Sequence, residues 1–236
     1  MTHKTIPSSE RLIFAMDVSD CGRARQLAEE LGDSVTFYKL GLELMMSGGY
    51  FELLDWMLAR EKKVFADLKF FDIPATVGSA VRQLKDRGAS FVTVHGNQSI
   101  MEAAAENKGE HLKVLGVTVL TSLDRGDLDD LGFACDVGEL VLSRAKRALE
   151  AGCDGVISSG LEVSKLREHV DSSLIVVTPG IRPVDNKPTG DQKRVVSVEQ
   201  AFANGADHIV VGRPIRDAES PRAAAESIQA SIAAQF

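Results

Sequence analysis

Residues 63–77 read KVFADLKFFDIPATV. After Lys63 the first seven are β-rich and apolar, except that Asp67 and Lys69 interrupt them. Asp72 and Pro74 follow. A proline with fixed φ and no N–H suits the first turn of a helix. The stretch therefore predicts one strand followed at once by one helix. The same unit recurs along the chain. Runs rich in Val, Ile and Phe occupy 11–17, 35–41, 63–69, 90–96, 112–120, 154–160, 173–180 and 207–213. Nearly unbroken apolar character is expected of strands covered on both faces.

Helical spacing fills the intervals. Tyr50, Leu53, Leu54, Met57 and Leu58 form one stripe, and Val141, Ala145, Ala148 and Leu149 another. The alanine-rich tail from Ser220 suits a last helix. Eight strand–helix units imply a closed (β/α)8 TIM barrel of the α/β class, a single domain over 1–236. A doubly wound open sheet is the alternative. The turns DRGAS, EAGCD and ANGAD precede the fourth, sixth and eighth strands and echo a repeated unit. Two long loops are expected, Thr121 to Val137 and Ile181 to Ser197, on the face where such barrels carry their chemistry.

Composition narrows the class. With 44% hydrophobic and 26% charged residues, disorder is not expected. The formal charge of -7 argues against nucleic acid as a partner but leaves room for a local basic pocket. Cys21, Cys135 and Cys153 are odd in number and scattered, which argues against a disulfide framework or zinc site and fits a reducing cytosol. The first residues lack the apolar segment of a signal peptide, and no run of about 18 apolar residues suggests a membrane span. A cytoplasmic protein is expected.

Polar residues stand at the strand ends: Asp17, Lys39, Asp67 with Lys69, His95, and Thr121 with Ser122. Side chains alternate along a strand, so Asp67 and Lys69 share a face. If that face points inward, both enter the barrel mouth, where Lys39 also arrives. A structural ion pair at the rim would explain Asp67 and Lys69 alone, and a helix N-terminus would explain Asp72. Together, Lys39, Asp67, Lys69 and Asp72 fit better as an alternating cluster that tunes pKa values for chemistry.

Gly180, Gly212 and Arg213 follow strands seven and eight, the usual phosphate-binding position in such barrels. Glycine admits backbone N–H groups to an anion, and arginine adds a charged fork. His95 reads equally as an acid–base group, a phosphate neighbour or a packed rim residue. Met45, Met46 and Met57 are expected in the core. The remaining histidines lack joint ligand spacing, and no GxGxxG follows the first strand, so neither a metal triad nor a dinucleotide is indicated.

The stretch DLKFFDIPATV resembles the DxKxxD signature of the orotidine 5'-phosphate decarboxylase family. FAMD, FYKLG, VTVHG, VTVLTS, TPGIRP, GDQKR and VVGRPI match in order over nearly the whole chain. The resemblance implies a homodimeric (β/α)8 barrel that converts orotidine 5'-phosphate to UMP without metal or cofactor. It implies Lys69 as proton donor to C6, Asp67 near the leaving carboxylate, and Lys39 completing the array. Asp72 and Thr76 would enter the other subunit's site. Asp17 and Lys39 would contact ribose, Thr121 and Ser122 the pyrimidine, and Arg182, Gln192, Gly212 and Arg213 the phosphate end, with His95 and Pro179 also binding substrate. Ala75 departs from the motif's usual asparagine, and altered loop packing is expected there. The segment after Arg182, PVDNKPTGD, is expected to be longer than in some relatives. Two rivals remain: a metal-dependent sugar-phosphate lyase or aldolase of the same barrel group, and a phosphate-binding barrel without catalysis.

Overall fold

The computed structural model describes residues 4–182 and 194–236. Eight parallel strands close on themselves in sequence order. They are β1 (Leu12–Ala15), β2 (Phe37–Leu40), β3 (Lys63–Phe70), β4 (Phe91–Val94), β5 (Lys113–Val117), β6 (Gly155–Ile157), β7 (Ile175–Thr178) and β8 (His208–Val211). The chain closes through Ile13, which pairs with Phe37 of β2 on one side and Val210 of β8 on the other. The expected (β/α)8 barrel is thus the observed one, and the open sheet is excluded.

Helices cover the outside: α1 (Cys21–Leu31), α2 (Leu42–Met46), α3 (Tyr50–Leu58), α4 (Pro74–Lys85), α5 (Gln98–Asn107), α6 (Arg125–Asp130), α7 (Val137–Glu150), α8 (Val163–His169), α9 (Val198–Ala203), α10 (Arg213–Arg216) and α11 (Pro221–Ala233). The predicted stripes face inward: α3 buries Tyr50, Leu53, Leu54 and Met57, and α7 buries Val141, Ala145 and Ala148. Pro74 opens α4 as its sequence suggests. Met45 and Met46 correct the expectation. They are 36% and 83% exposed, because the single short turn of α2 sends only Leu44 inward.

Strand alternation divides the interior into two cores. Ile13, Phe37, Phe65, Phe91, Leu115, Val177 and Val210 fill the barrel. Their neighbours, such as Phe14, Tyr38, Val64, Val92 and Val176, pack against the helices. Lys39, Asp67 and Thr93 follow the inward residues Phe37, Phe65 and Phe91 by two positions and so point into the barrel one layer higher.

The echoed turns are clamps at the N-terminal face. The N–H groups of Ser90, Asp154 and Asp207 donate to the carbonyls of Val64, Val114 and Val176 at 2.8, 3.0 and 2.9 Å. The Asp154 and Asp207 carboxylates also accept the Val114 and Val176 N–H groups at 2.9 and 2.8 Å. Lys108 and Arg167 neutralise them, each at 2.7 Å. The loop expected from Thr121 to Val137 contains α6, begun by a capping box between Asp124 and Asp127.

Candidate active site

A cavity of about 520 Å³ opens at the C-terminal ends of the strands. Four charged side chains form a line on one wall. The Lys39 ammonium lies 2.9 Å from Asp17 and 3.5 Å from Asp67, whose other oxygen lies 2.9 Å from Lys69. The order is acid, base, acid, base. Burial alone would raise the Asp67 pKa. The charges of Lys39 and Lys69, with hydrogen bonds from Lys69 and Thr93, outweigh it and leave Asp67 below the usual carboxylate value. Burial alone would lower the Lys39 pKa. Asp67 and Asp17 outweigh it and hold Lys39 above the usual lysine value. Lys39 is held cationic and Asp67 anionic largely because each faces the other's charge.

Strand β3 is irregular where it delivers Lys69. Its register against β4 shifts between Ala66 and Phe70. Lys69 lies within that bulge at φ 47°, a left-handed conformation that is uncommon and costly outside glycine. Its N–H donates to Thr93 Oγ1 at 3.0 Å, and the Thr93 hydroxyl donates to Asp67 Oδ1 at 2.8 Å. Thr93 is fully buried. Sequence reasoning passed over it as one more residue of an apolar strand. Its inward parity with Phe91, two places before His95, was the available signal.

The same cavity is also lined by glycine and cationic residues from the ends of β7 and β8: Gly180, Arg182, Gly212 and Arg213. At Gly212 a side chain would meet Ala15 Cβ at 3.3 Å and Asp17 Oδ2 at 3.9 Å, so the backbone there stays bare. Arg182 is placed by a parallel bridge in which its N–H donates to the Val196 carbonyl at 3.0 Å. Arg216 also lines the cavity, with Nη1 donating to the Asp17 carbonyl at 2.7 Å. The sequence did not single it out, nor Ser158 and Ser159, which line the cavity with Thr121 and Pro179. Buried Arg194 holds two of these segments together. It donates to Glu162 Oε1 at 2.8 Å and to the Val119 and Leu120 carbonyls at 3.1 and 2.9 Å.

Other expected residues lie apart from this cavity. Asp72 is exposed, and its carboxylate accepts the Ile73 N–H at 2.6 Å. It borders a second, more open cavity of about 1,010 Å³ with Phe71, Ile73, Arg144 and Arg147. Thr76 is exposed on α4, and Ser122 does not line the first cavity. His95 packs edge-on against Phe71 at 5.5 Å, and its buried Nδ1 has no hydrogen-bond partner among the described residues. Burial, then the charges of Arg144 and Lys69, push its pKa below the usual histidine value. Gln192 lies outside the described residues. Among the described residues no group of three His, Cys, Asp or Glu could hold a metal ion. Among them, too, no helix is long and apolar enough to cross a membrane.

The sequence matches the model of the orotidine 5'-phosphate decarboxylase / HUMPS family over residues 10–228. It is 65% identical over 232 residues to the orotidine 5'-phosphate decarboxylase of Methylococcus capsulatus, covering 98% of this chain and 96% of that protein. It is 50% identical over 226 residues to the enzyme of the same name from Stenotrophomonas maltophilia, covering 95% and 93%. The fold is similar to the crystal structure of orotidine 5'-phosphate decarboxylase from Lactobacillus acidophilus, with a TM-score of 0.83 and 34% identity over 94% of this chain and 99% of that one. A motif series in matching order, a closed barrel and full-length likeness agree: the chain belongs to the orotidine 5'-phosphate decarboxylase / HUMPS family.

Proposed function

We propose that this carboxy-lyase removes CO2 from orotidine 5'-phosphate to give UMP, and that Lys69 supplies the proton that replaces the lost carboxylate at C6. The observation that carries the reading is the line Asp17–Lys39–Asp67–Lys69 in a cavity that Arg182 and Arg213 also line. Such a cavity suits an anion with a reacting centre at one end and a phosphate at the other.

Loss of CO2 from C6 leaves an electron pair with no adjacent π system to accept it. Catalysis must therefore stabilise charge at C6 more in the transition state than in the substrate. A fixed ammonium beside C6 does this and then transfers its proton. Asp67, 2.9 Å from the Lys69 ammonium, aims it. Asp67 near the substrate carboxylate also disfavours the ground state, a second-rank contribution. The phosphate, held by Arg213, Arg182 and Gln192 with the Gly212 backbone, supplies binding energy far from C6. That energy is available for orienting the substrate and excluding water. Asp17 and Lys39 bind ribose, and Thr121, Ser122 and Pro179 flank the pyrimidine, with His95 at the rim.

The working unit in this reading is a homodimer in which Asp72 and Thr76 complete the second copy's site. Asp72 lies outside its own chain's cavity, flanked by Phe71 and Ile73, which are 69% and 66% exposed. Adjacent large apolar side chains in water are a mark of a surface that becomes covered. Mixing Lys69→Ala with Asp72→Ala subunits then restores activity, because one site of each mixed dimer carries neither change. No recovery after subunit exchange would count against the shared site. The three cysteines are free, which suits a reducing compartment such as the cytosol.

The direct test follows the pyrimidine absorbance of orotidine 5'-phosphate with and without chelator. Loss of absorbance at equal rates supports the proposal. Activity abolished by EDTA and restored by magnesium would instead favour a metal-stabilised enediolate lyase.

A further inference from the structure

We propose that Thr93 is a positioning residue for the proton donor, its hydroxyl setting both the backbone of Lys69 and the carboxylate that aims the Lys69 ammonium. The inference rests on the functional reading above and deepens it. Three hydrogen bonds join four polar atoms into a ring that the Lys69 side chain closes. The Lys69 N–H donates to Thr93 Oγ1 at 3.0 Å, the Thr93 hydroxyl donates to Asp67 Oδ1 at 2.8 Å, and Lys69 Nζ donates to the same oxygen at 2.9 Å. A hydroxyl has one proton. Since it accepts from the Lys69 N–H, that proton is free to go to Asp67, and no donor faces a donor.

The ring answers a local defect. The bulge between Ala66 and Phe70 interrupts the ladder to β4, and Lys69 adopts φ 47°. The Thr93 side chain provides the acceptor that the Lys69 N–H uses there. One side chain on β4 therefore holds a strained backbone on β3 and the charge partner of its ammonium. A valine in this fully buried position would fill similar space but offer neither bond.

The role has a signature that simple packing lacks. A hydrogen bond to a carboxylate favours its ionised form, so removing the hydroxyl raises the Asp67 pKa. The other charged or titratable groups around Asp67 are Lys69 on β3, Lys39 on β2, Asp17 behind Lys39, Tyr50 from α3, and His95 beside Lys69. None of these residues is substituted in the test.

The experiment compares Thr93→Ser, Thr93→Ala and Thr93→Val with the wild type. Serine and alanine both lack the methyl and differ only in the hydroxyl. Thr93→Ser is expected within about threefold of wild-type kcat/KM, and Thr93→Ala and Thr93→Val about 10- to 100-fold below it, with the acid limb of the profile moved to higher pH. A 13C NMR titration of the Asp67 carboxyl in the unliganded protein reads the same bond without turnover. Asp67 is expected to titrate higher in the alanine and valine variants than in the serine variant. Should Thr93→Val fail to fold, the serine–alanine pair decides. Thr93→Ala matching Thr93→Ser in rate and in Asp67 titration overturns the proposal. A wild type that does not decarboxylate sinks the functional reading, while the NMR comparison still decides whether Thr93 governs Asp67.

Discussion

Replacing Asp67 by asparagine keeps its shape and removes its charge. The buried carboxylate receives Lys69 at 2.9 Å and Thr93 at 2.8 Å on one oxygen and faces Lys39 at 3.5 Å on the other. Asparagine turns one oxygen into an NH2. If the amide oxygen takes the first place, the NH2 faces the Lys39 ammonium; flipped, it faces Lys69 and Thr93. Either way a donor meets a donor. Removing one partner of a buried pair costs about 3–5 kcal/mol. Lys39 keeps Asp17 at 2.9 Å, and the Lys69 side chain is 31% exposed, so the lower end is expected. A loss of about 3 kcal/mol corresponds to roughly 6–12 °C in Tm for a chain of this size. Urea unfolding at pH 7, followed by the single tryptophan Trp56, measures it. The pH dependence has a definite sign. The folded Asp67 pKa lies below its ordinary value, so its stabilisation is present above that ordinary value and is lost as pH falls through the folded one. The gap between wild type and Asp67→Asn should therefore close on acidification. An asparagine variant as stable as wild type at pH 7, or a gap that widens in acid, would refute the reasoning.

Arg213→Ala removes a cationic fork from the wall assigned to phosphate. An expected loss of about 1.5–3 kcal/mol lowers kcat/KM about 10- to 150-fold. Steady-state kinetics with the phosphorylated substrate checks this, and unchanged kcat/KM would move the phosphate elsewhere. Arg194→Ala leaves the Glu162 carboxylate, whose side chain is 12% exposed, without its 2.8 Å partner. A stability loss of about 3–5 kcal/mol is expected in denaturant unfolding, with much of it recovered when Glu162 is also made apolar.

Much of the architecture was legible because a fully covered parallel strand needs a short, unbroken apolar run. Seven of the eight predicted runs contain a whole, shorter strand of the barrel, and β3 extends one residue past its run, to Phe70. The run at 11–17 continues past Ala15, where β1 ends, because Met16 is still buried. Of the site, Asp17, Lys39, Asp67 and Lys69 were legible as charges that an apolar strand end would not carry without use. The bulge at Lys69 was not, because it arises from the register between β3 and β4 and leaves no mark in either segment alone. Thr93 was hidden for the same reason, since its bonds reach residues 24 and 26 positions earlier in the chain. Met45 and Met46 misled because apolar character says nothing about which way a five-residue helix turns.

The measurement that bears most directly on the whole account is kcat for Lys69→Ala in protein shown to be folded. The account predicts a fall of several decades, each worth about 1.4 kcal/mol of barrier. Turnover close to that of the unaltered chain would mean that C6 receives its proton from some other group.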